Sequence, residues 1–252
     1  MEILITNDDG LDSEGLQVLA RAAAALGNVT VVAPEKEQSA SSHAITLGAP
    51  LRARRRPDGR IGVSGTPTDC VFLAMNGLVS NRPDLVLSGI NHGANMGDDI
   101  TYSGTVAAAI EATLIGVPAI AFSVAARSGH LFEAPERLIG GIVEKMIADP
   151  PPRRTFWNVN FPNLPFEEIR GIRVTVLGTH RYQNALVREP ASAGEEIYRV
   201  GGGELMWEEN PEADFTTVLR NRSVSVTPVH LDLNHYEMIH EMRRWRWDGP
   251  ER

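Results

Sequence analysis

Residues 7–10 of the chain read Asn-Asp-Asp-Gly, directly after the apolar run Ile3-Leu4-Ile5-Thr6. Two adjacent carboxylates, Asp8 and Asp9, therefore sit on a turn at the end of a strand pattern. Three further polar segments follow: the Ser-rich stretch with Ser39, Ser41, Ser42 and His43, then Ser88-Gly89-Ile90-Asn91, then Tyr102-Ser103-Gly104-Thr105. Asp8, Asp9, Ser39 and Asn91 are all oxygen donors, the set preferred by hard cations such as Mg²⁺, Mn²⁺ or Ca²⁺. Nothing like the Cys/His cluster of a zinc site is visible. Two carboxylates offset the charge of one divalent ion, so a phosphate can approach without strong uncompensated repulsion. Ser103, Gly104 and Thr105 open a helix pattern. Its free N–H groups and the two hydroxyls form an anion cradle, and Gly104 lets the backbone come close. Asn95 lies between Asn91 and that cradle.

Each of these residues also has a structural use when taken alone. Asp8-Asp9-Gly10 suits a plain turn, Ser39 a solvated loop, Asn91 and Asn95 a Gly-rich backbone, and Ser103 an N-cap. The functional reading gains only because the donors converge. His43 suits a loop hydrogen bond better than proton transfer. Arg52, Arg54, Arg55 and Arg56 read as a solvated strand edge, and Cys70 as inert core.

Convergence depends on the elements behind these residues. The strand at Ile3–Thr6, helical spacing through Leu16, Leu19, Ala20, Ala23 and Leu26, and a second apolar strand at Val29–Ala33 make a βαβ unit, hence a parallel sheet. Leu85–Ser88 and Ala119–Phe122 read as further buried strands, with a loop from Gly89 to Tyr102 and a helix over Val106–Ile115. The stretch from Pro34 to Arg60 reads as a long loop with one or two strands around Ile45–Leu47 and Leu51–Ala53, and a helix is expected from Thr66 to about Asn76, where Thr66, Pro67 and Asp69 form a start signal. A helix over Ala134–Ala148 ends at Pro150-Pro151-Pro152, which reads either as a linker or as a turn before strands that rejoin the sheet. Phe156–Phe161, Ile172–Leu177 and Val224–Thr227 look like strands. Ile197–Val200 and Glu204–Trp207 suggest a two-stranded arm, and Asn234–Trp247 a terminal helix. Tyr236, Ile239, Met242, Trp245 and Trp247 give that helix an apolar surface suited to packing on this or another subunit. In an open parallel sheet the carboxyl ends of the strands share one edge, where ligands bind. That edge gathers Asp8, Asp9, Ser39 and Asn91.

The bulk properties set outer bounds. The chain has 252 residues and a formal net charge of −8, which argues against duplex nucleic acid as a partner. Its one cysteine permits no intrachain disulfide. The N-terminal residues lack a signal-peptide pattern, and no apolar run approaches the ~18 residues of a membrane span. The reading is a cytoplasmic protein with no membrane partner. Residues 1–180 form an α/β catalytic core, and 181–252 form an arm, a returning strand and a helix without independent domain status.

The motifs resemble one known family. Ile3-Leu4-Ile5-Thr6-Asn7-Asp8-Asp9-Gly10 closely resembles the opening of the SurE family of survival-protein 5′-nucleotidases. Ala33-Pro34-Glu35-Lys36-Glu37-Gln38-Ser39-Ala40, Gly65-Thr66-Pro67-Thr68-Asp69-Cys70-Val71, Ser88-Gly89-Ile90-Asn91 and Ser103-Gly104-Thr105-Val106 match later motifs in collinear order, and Ser223–Pro228 fits the last strand. The resemblance implies a Rossmann-like three-layer α/β/α sandwich with a mostly parallel sheet. It implies one divalent cation per subunit at Asp8, Asp9, Ser39 and Asn91, with Mg²⁺ or Mn²⁺ foremost and Ca²⁺ or Co²⁺ as alternatives. It implies hydrolysis of nucleoside 5′-monophosphates, extending to 3′-monophosphates and short polyphosphate. It also implies homodimers or homotetramers joined through C-terminal elements. The sequence departs from the pattern at Ser42, Thr68 and Glu212-Ala213-Asp214, and in Tyr198-Arg199-Val200, which lacks the family's second Tyr and its Trp. In the mechanism that follows, Asp8 orients or deprotonates the attacking water, while Asn95 and the Ser103–Thr105 segment hold the phosphoryl oxygens. A phospho-receiver would need an Asp where Leu85–Ser88 gives way to Gly89-Ile90-Asn91. A dehalogenase-type phosphatase would need Asp-x-Asp rather than Asp8-Asp9-Gly10.

Overall fold

In the computed structural model, which describes residues 1–192, 194–201 and 203–247, β1 (Glu2–Thr6), α1 (Glu14–Ala23) and β2 (Asn28–Pro34) form the βαβ unit. The chain continues through β3 (Ala53–Arg55), β4 (Ile61–Val63), α2 (Pro67–Leu73), β5 (Leu85–His92), α3 (Gly104–Leu114), β6 (Ala119–Ala125), α4 (Glu133–Ala148) and β7 (Thr155–Pro162). Then come β8 (Ile172–Val174), β9 (His180–Gln183), β10 (Leu186–Glu189), β11 (Ile197–Val200), β12 (Glu204–Trp207), β13 (Val224–His230) and α5 (Tyr236–Met242).

Among the described residues the main sheet has nine strands in the order β3-β4-β2-β1-β5-β6-β7-β13-β8. From β4 to β7 every pairing is parallel, and antiparallel pairs occur only at β3–β4 and β7–β13. The central strands are apolar on both sides because both faces are covered. Ile3 and Ile5 point into one core with Leu16 and Leu19 of α1 and Ile139 and Val143 of α4. Leu4 points into the other, with Cys70 and Val71 of α2 and Val106 and Ala109 of α3. Three layers, α/β/α, result. The chain winds outward from β1 to β2 and β4, then crosses back to place β5 on the other side of β1, so a switch point lies between β1 and β5.

Several local expectations change. Ile45–Leu47 is not a strand: Thr46 turns its N–H and hydroxyl onto the Asp69 carboxylate (2.8 and 2.7 Å) instead of a ladder. The short strand expected at Leu51–Ala53 instead runs Ala53–Arg55 and is exposed along its length, as the arginine run suggests. The expected loop at Gly89 is a bulge in β5, because pairing with β6 resumes at Asn91↔Ser123 and His92↔Val124. Gly89, at φ +127°, permits it, and a Cβ there would lie 2.3 Å from the Phe122 carbonyl oxygen. After the proline run, β7 and later β13 join the main sheet. The arm differs too. β11 and β12 do not pair with each other; β12 pairs with β9 and β11 with β10, giving two nested hairpins. The arm therefore includes β9 and β10 as well as the two strands expected for it. The terminal helix is shorter than its apolar pattern, with the His235 ring accepting the Met238 N–H as its cap, and none of its residues is buried. Residues 248–252 of the C-terminal segment lie outside the described residues.

Candidate active site

The loop after β1 is held from below. Asn7 is fully buried, and its amide donates to the Gly10 carbonyl and the Ser13 hydroxyl. The Gln38 N–H donates to the Asp8 carbonyl, at 2.7 Å, and ties the loop after β2 to the loop after β1. These contacts present Asp8 and Asp9 to a cleft of about 740 Å³ at the switch point, well within the range of small-molecule sites. Asp8, Asp9, Ser39, Asn91, Asn95 and Ser103 all line it. Six residues proposed from the sequence, drawn from the segments that follow β1 and β2 and that lead from the end of β5 into α3, thus share one cavity.

Burial pushes the Asp8 carboxyl up to about 6; the adjacent Asp9 adds to this, and the Thr105 hydroxyl and N–H oppose it. Asp9 is likewise raised to about 6, first by burial and further by Glu37, against the His92 N–H, which donates to its Oδ2 at 3.1 Å, and the nearby His130. Two carboxyls that resist ionisation in the bare protein mark a place short of positive charge.

The donor ends of the other groups are already engaged. Ser39 donates its hydroxyl proton to Glu37 Oε1 (2.7 Å), and the Asn91 Nδ2 donates to the Gly93 carbonyl (2.9 Å). Their oxygen lone pairs stay available. This set fits a hard cation through charge and oxygen donors. Among the described residues no group of three or more His, Cys, Asp or Glu converges as a metal cluster, so any ion here would lean on the Ser39 hydroxyl and the Asn91 amide.

The cradle is more specialised than its sequence suggests. Ser103 is the N-cap of α3 and accepts the Val106 N–H at 3.1 Å. Thr105, expected to hold phosphate with its hydroxyl, is fully buried and spends that hydroxyl on Asp8 Oδ1. It anchors a carboxylate with its N–H and hydroxyl, which leaves Ser103 and the Gly104 N–H as the groups the helix start could offer an anion. Gly104 packs against the same carboxylate: a Cβ there would meet Asp8 Cβ and Ser41 Oγ at 2.8 Å. Asn95 is clamped. Its N–H donates to Asn160 Oδ1, its carbonyl accepts from Asn158 and Asn160, and its Nδ2 donates to Ser123. Three buried polar residues of β6 and β7 thus fix a single cleft residue.

His43 turns away from the cleft and pairs with Glu111 of α3 at 2.9 Å. Cys70 is free and buried, and desolvation pushes its thiol up. The cleft also contains residues that the sequence did not mark, among them Glu37, His92, Asp99, Arg127 and His130. His92 accepts the Gly15 N–H on Nε2 and stacks on His130 at 4.7 Å; burial and His130 hold its pKa below the usual histidine value. Arg127 lies two residues beyond the end of β6. The rule that ligands gather beyond the carboxyl ends of parallel strands would have pointed to it.

With this geometry in place, the chain can be set beside known proteins. The family profile described as "Survival protein SurE" matches residues 3–184. The chain is 47% identical over 247 residues to "5′-nucleotidase SurE" of Pelobacter propionicus, covering 97% of this chain and 99% of the relative. It is 46% identical over 254 residues to the protein of the same name from Gemmatimonas aurantiaca, covering 99% and 100%. In three dimensions it resembles the crystal structure of the SurE protein from Aquifex aeolicus, with a TM-score of 0.85 and 39% identity over 96% of this chain and 98% of that one.

Proposed function

The chain belongs to the SurE family of survival proteins, and from that premise we propose that it is a 5′-nucleotidase: it hydrolyses nucleoside 5′-monophosphates to nucleoside and phosphate. One observation carries the reading on the structural side. Asp8, Asp9, Ser39 and Asn91 share a cleft with the N-terminus of α3 and with Asn95. Together they supply negative charge for a cation and N–H donors for an anion. A divalent cation, Mg²⁺ or Mn²⁺ foremost, would be held by Asp8, Asp9, Ser39 and Asn91. When bound it supplies Lewis acidity toward a phosphoryl oxygen.

The chain's own groups do the rest. Ser103, the α3 backbone and Asn95 orient the phosphoryl oxygens, and the clamp on Asn95 keeps it in place without reorganisation. Asp8, steadied by Thr105 on one oxygen, uses the other to orient the attacking water and receive its proton. The bond from phosphorus to the ribose oxygen breaks, the ribose oxygen takes a proton from solvent to become the nucleoside hydroxyl, the oxygen of water ends on phosphate, and Asp8 returns its proton to solvent. Activity on 3′-monophosphates and short polyphosphate belongs to the same proposal, since the recognised element is a terminal phosphoryl group.

The exposed apolar side chains of α5 and of the residues after it, Tyr236, Met238, Trp245 and Trp247 among them, support a homodimer or homotetramer joined through C-terminal elements. No described helix is long and apolar enough to cross a membrane. Together with a lone buried cysteine, this is compatible with the proposed cytoplasmic location. The functional test is phosphate release from AMP after EDTA treatment and after Mn²⁺ is restored. The reading requires loss, then recovery; phosphate release unaffected by EDTA would refute the metal requirement, and none under any condition would refute the nucleotidase.

A further inference from the structure

The cleft has two kinds of wall. Asp8, Asp9 and Ser103 provide charge and hydrogen bonds, while Asp99, Tyr102 and Arg127 close it elsewhere. Arg127 also lines a second cavity of about 460 Å³, whose other described walls, Tyr182, Ala185, Val200, Gly201 and Gly203, all come from the nested hairpins of the arm. This recess is chiefly carbon-walled. It adjoins the cleft across a single side chain.

Two features make that boundary suitable for a planar heterocycle. First, Arg127 is uncommitted. Among the described residues it pairs with no carboxylate, and its one hydrogen bond, to the Gly203 carbonyl, is 3.4 Å long. The flat guanidinium face and its other N–H groups remain available for stacking and for donation to ring nitrogens or carbonyls. Second, Tyr182 is held in place. Its hydroxyl donates to Asp99 Oδ2 at 2.5 Å, while His180 Nε2 lies 3.0 Å from Asp99 Oδ1. With both oxygens occupied by β9, Asp99 pins the root of the arm to the cleft and leaves the Tyr182 ring as a fixed wall.

We propose that this recess receives the nucleoside end of the substrate, with Arg127 and Tyr182 as its specificity-determining residues. The inference rests on the nucleotidase reading and deepens it. A nucleoside monophosphate is a dianion at one end and a flat, edge-polar ring at the other, and the cleft and recess offer the same two environments side by side.

The test compares AMP with ribose 5-phosphate, which keeps the phosphate and sugar but lacks the base. kcat and KM are measured on the Mn²⁺-supplemented enzyme for wild type, Arg127→Met, Tyr182→Leu and Tyr182→Phe, with thermal melting to verify folding. In Arg127→Met and Tyr182→Leu the ratio of kcat/KM for AMP to that for ribose 5-phosphate falls about tenfold, the range expected for lost base stacking. The fall comes through KM, and Tyr182→Phe, which keeps the ring, keeps the ratio. An unchanged ratio overturns the subsite. So does a parallel loss on both substrates, which would put Arg127 on the phosphate. Wild-type enzyme that cleaves ribose 5-phosphate but no nucleotide would defeat the nucleotidase reading, and the subsite with it.

Discussion

Asp8 bears opposing demands: it is almost completely buried, lies beside a second carboxyl, and is held by Thr105. Its carboxyl pKa, raised from an ordinary 3.8 to about 6, means that the folded metal-free protein binds more protons than the unfolded chain between pH 4 and 6. Stability therefore falls as pH rises through that window. The charged form costs roughly 2–3 kcal/mol above pH 6, at about 1.4 kcal/mol per pKa unit. Asp8→Asn removes the charge and keeps an oxygen for Thr105. In EDTA-treated protein at pH 7.5 the variant melts several degrees above wild type, and the gain shrinks as pH is lowered from 6 toward 4; a melting temperature that does not change with pH contradicts this electrostatic picture. The same variant releases phosphate from AMP at least about a hundredfold more slowly, the usual scale for losing a positioned acid–base group. Activity within a fewfold of wild type would remove Asp8 from that role. The sequence showed which residue types could act here, because Asp8, Asp9, Ser39 and Asn91 all bear oxygen. It did not show the use of Thr105, whose orientation follows from the path of the helix rather than from its own chemistry.

At the level of elements, α3 and α2 separate function from stability. The close approach of Gly104 to Asp8 and Ser41 means that any added methyl displaces the carboxylate. Gly104→Ala is expected to lower kcat for AMP at least about tenfold while leaving most of the fold intact, since a displacement of about an ångström can cost more than that; unchanged kcat would show that the approach is incidental. α2 begins with a capping box in which Thr66 accepts the Asp69 N–H and Asp69 accepts the Thr66 N–H. Thr66→Ala should cost about 1 kcal/mol of stability, read as a lower melting temperature with unaltered kcat. The parallel strands and their helices were legible because buried apolar runs and helical spacing are local signals. The bulge at Gly89, the loop at Ile45–Leu47 and the nesting of the arm were not. Each is decided by a partner distant in sequence: the Phe122 carbonyl, the Asp69 carboxylate, and the pairing of β9 with β12.

On the scale of the whole molecule, a net charge of −8 has to coexist with the binding of an anion. In the proposed function local groups would reconcile the two, because a bound cation and the N-terminus of α3 would outweigh the general field at short range. Beyond α5, Trp245 and Trp247 are exposed beside each other, which single chains seldom do with adjacent large apolar groups. Trp245→Asp is expected to reduce the assembled mass seen by light scattering, and an unaltered mass would place the subunit contact elsewhere. The central claim is that loops distant in the chain build one cation site beside an anion cradle. Calorimetric titration of EDTA-stripped protein with Mn²⁺ tests it most directly. Wild type is expected to take up one ion per chain, with uptake abolished in the Asp8→Asn/Asp9→Asn double variant; no uptake by the wild type, or equal uptake by the double variant, would rule such a site out.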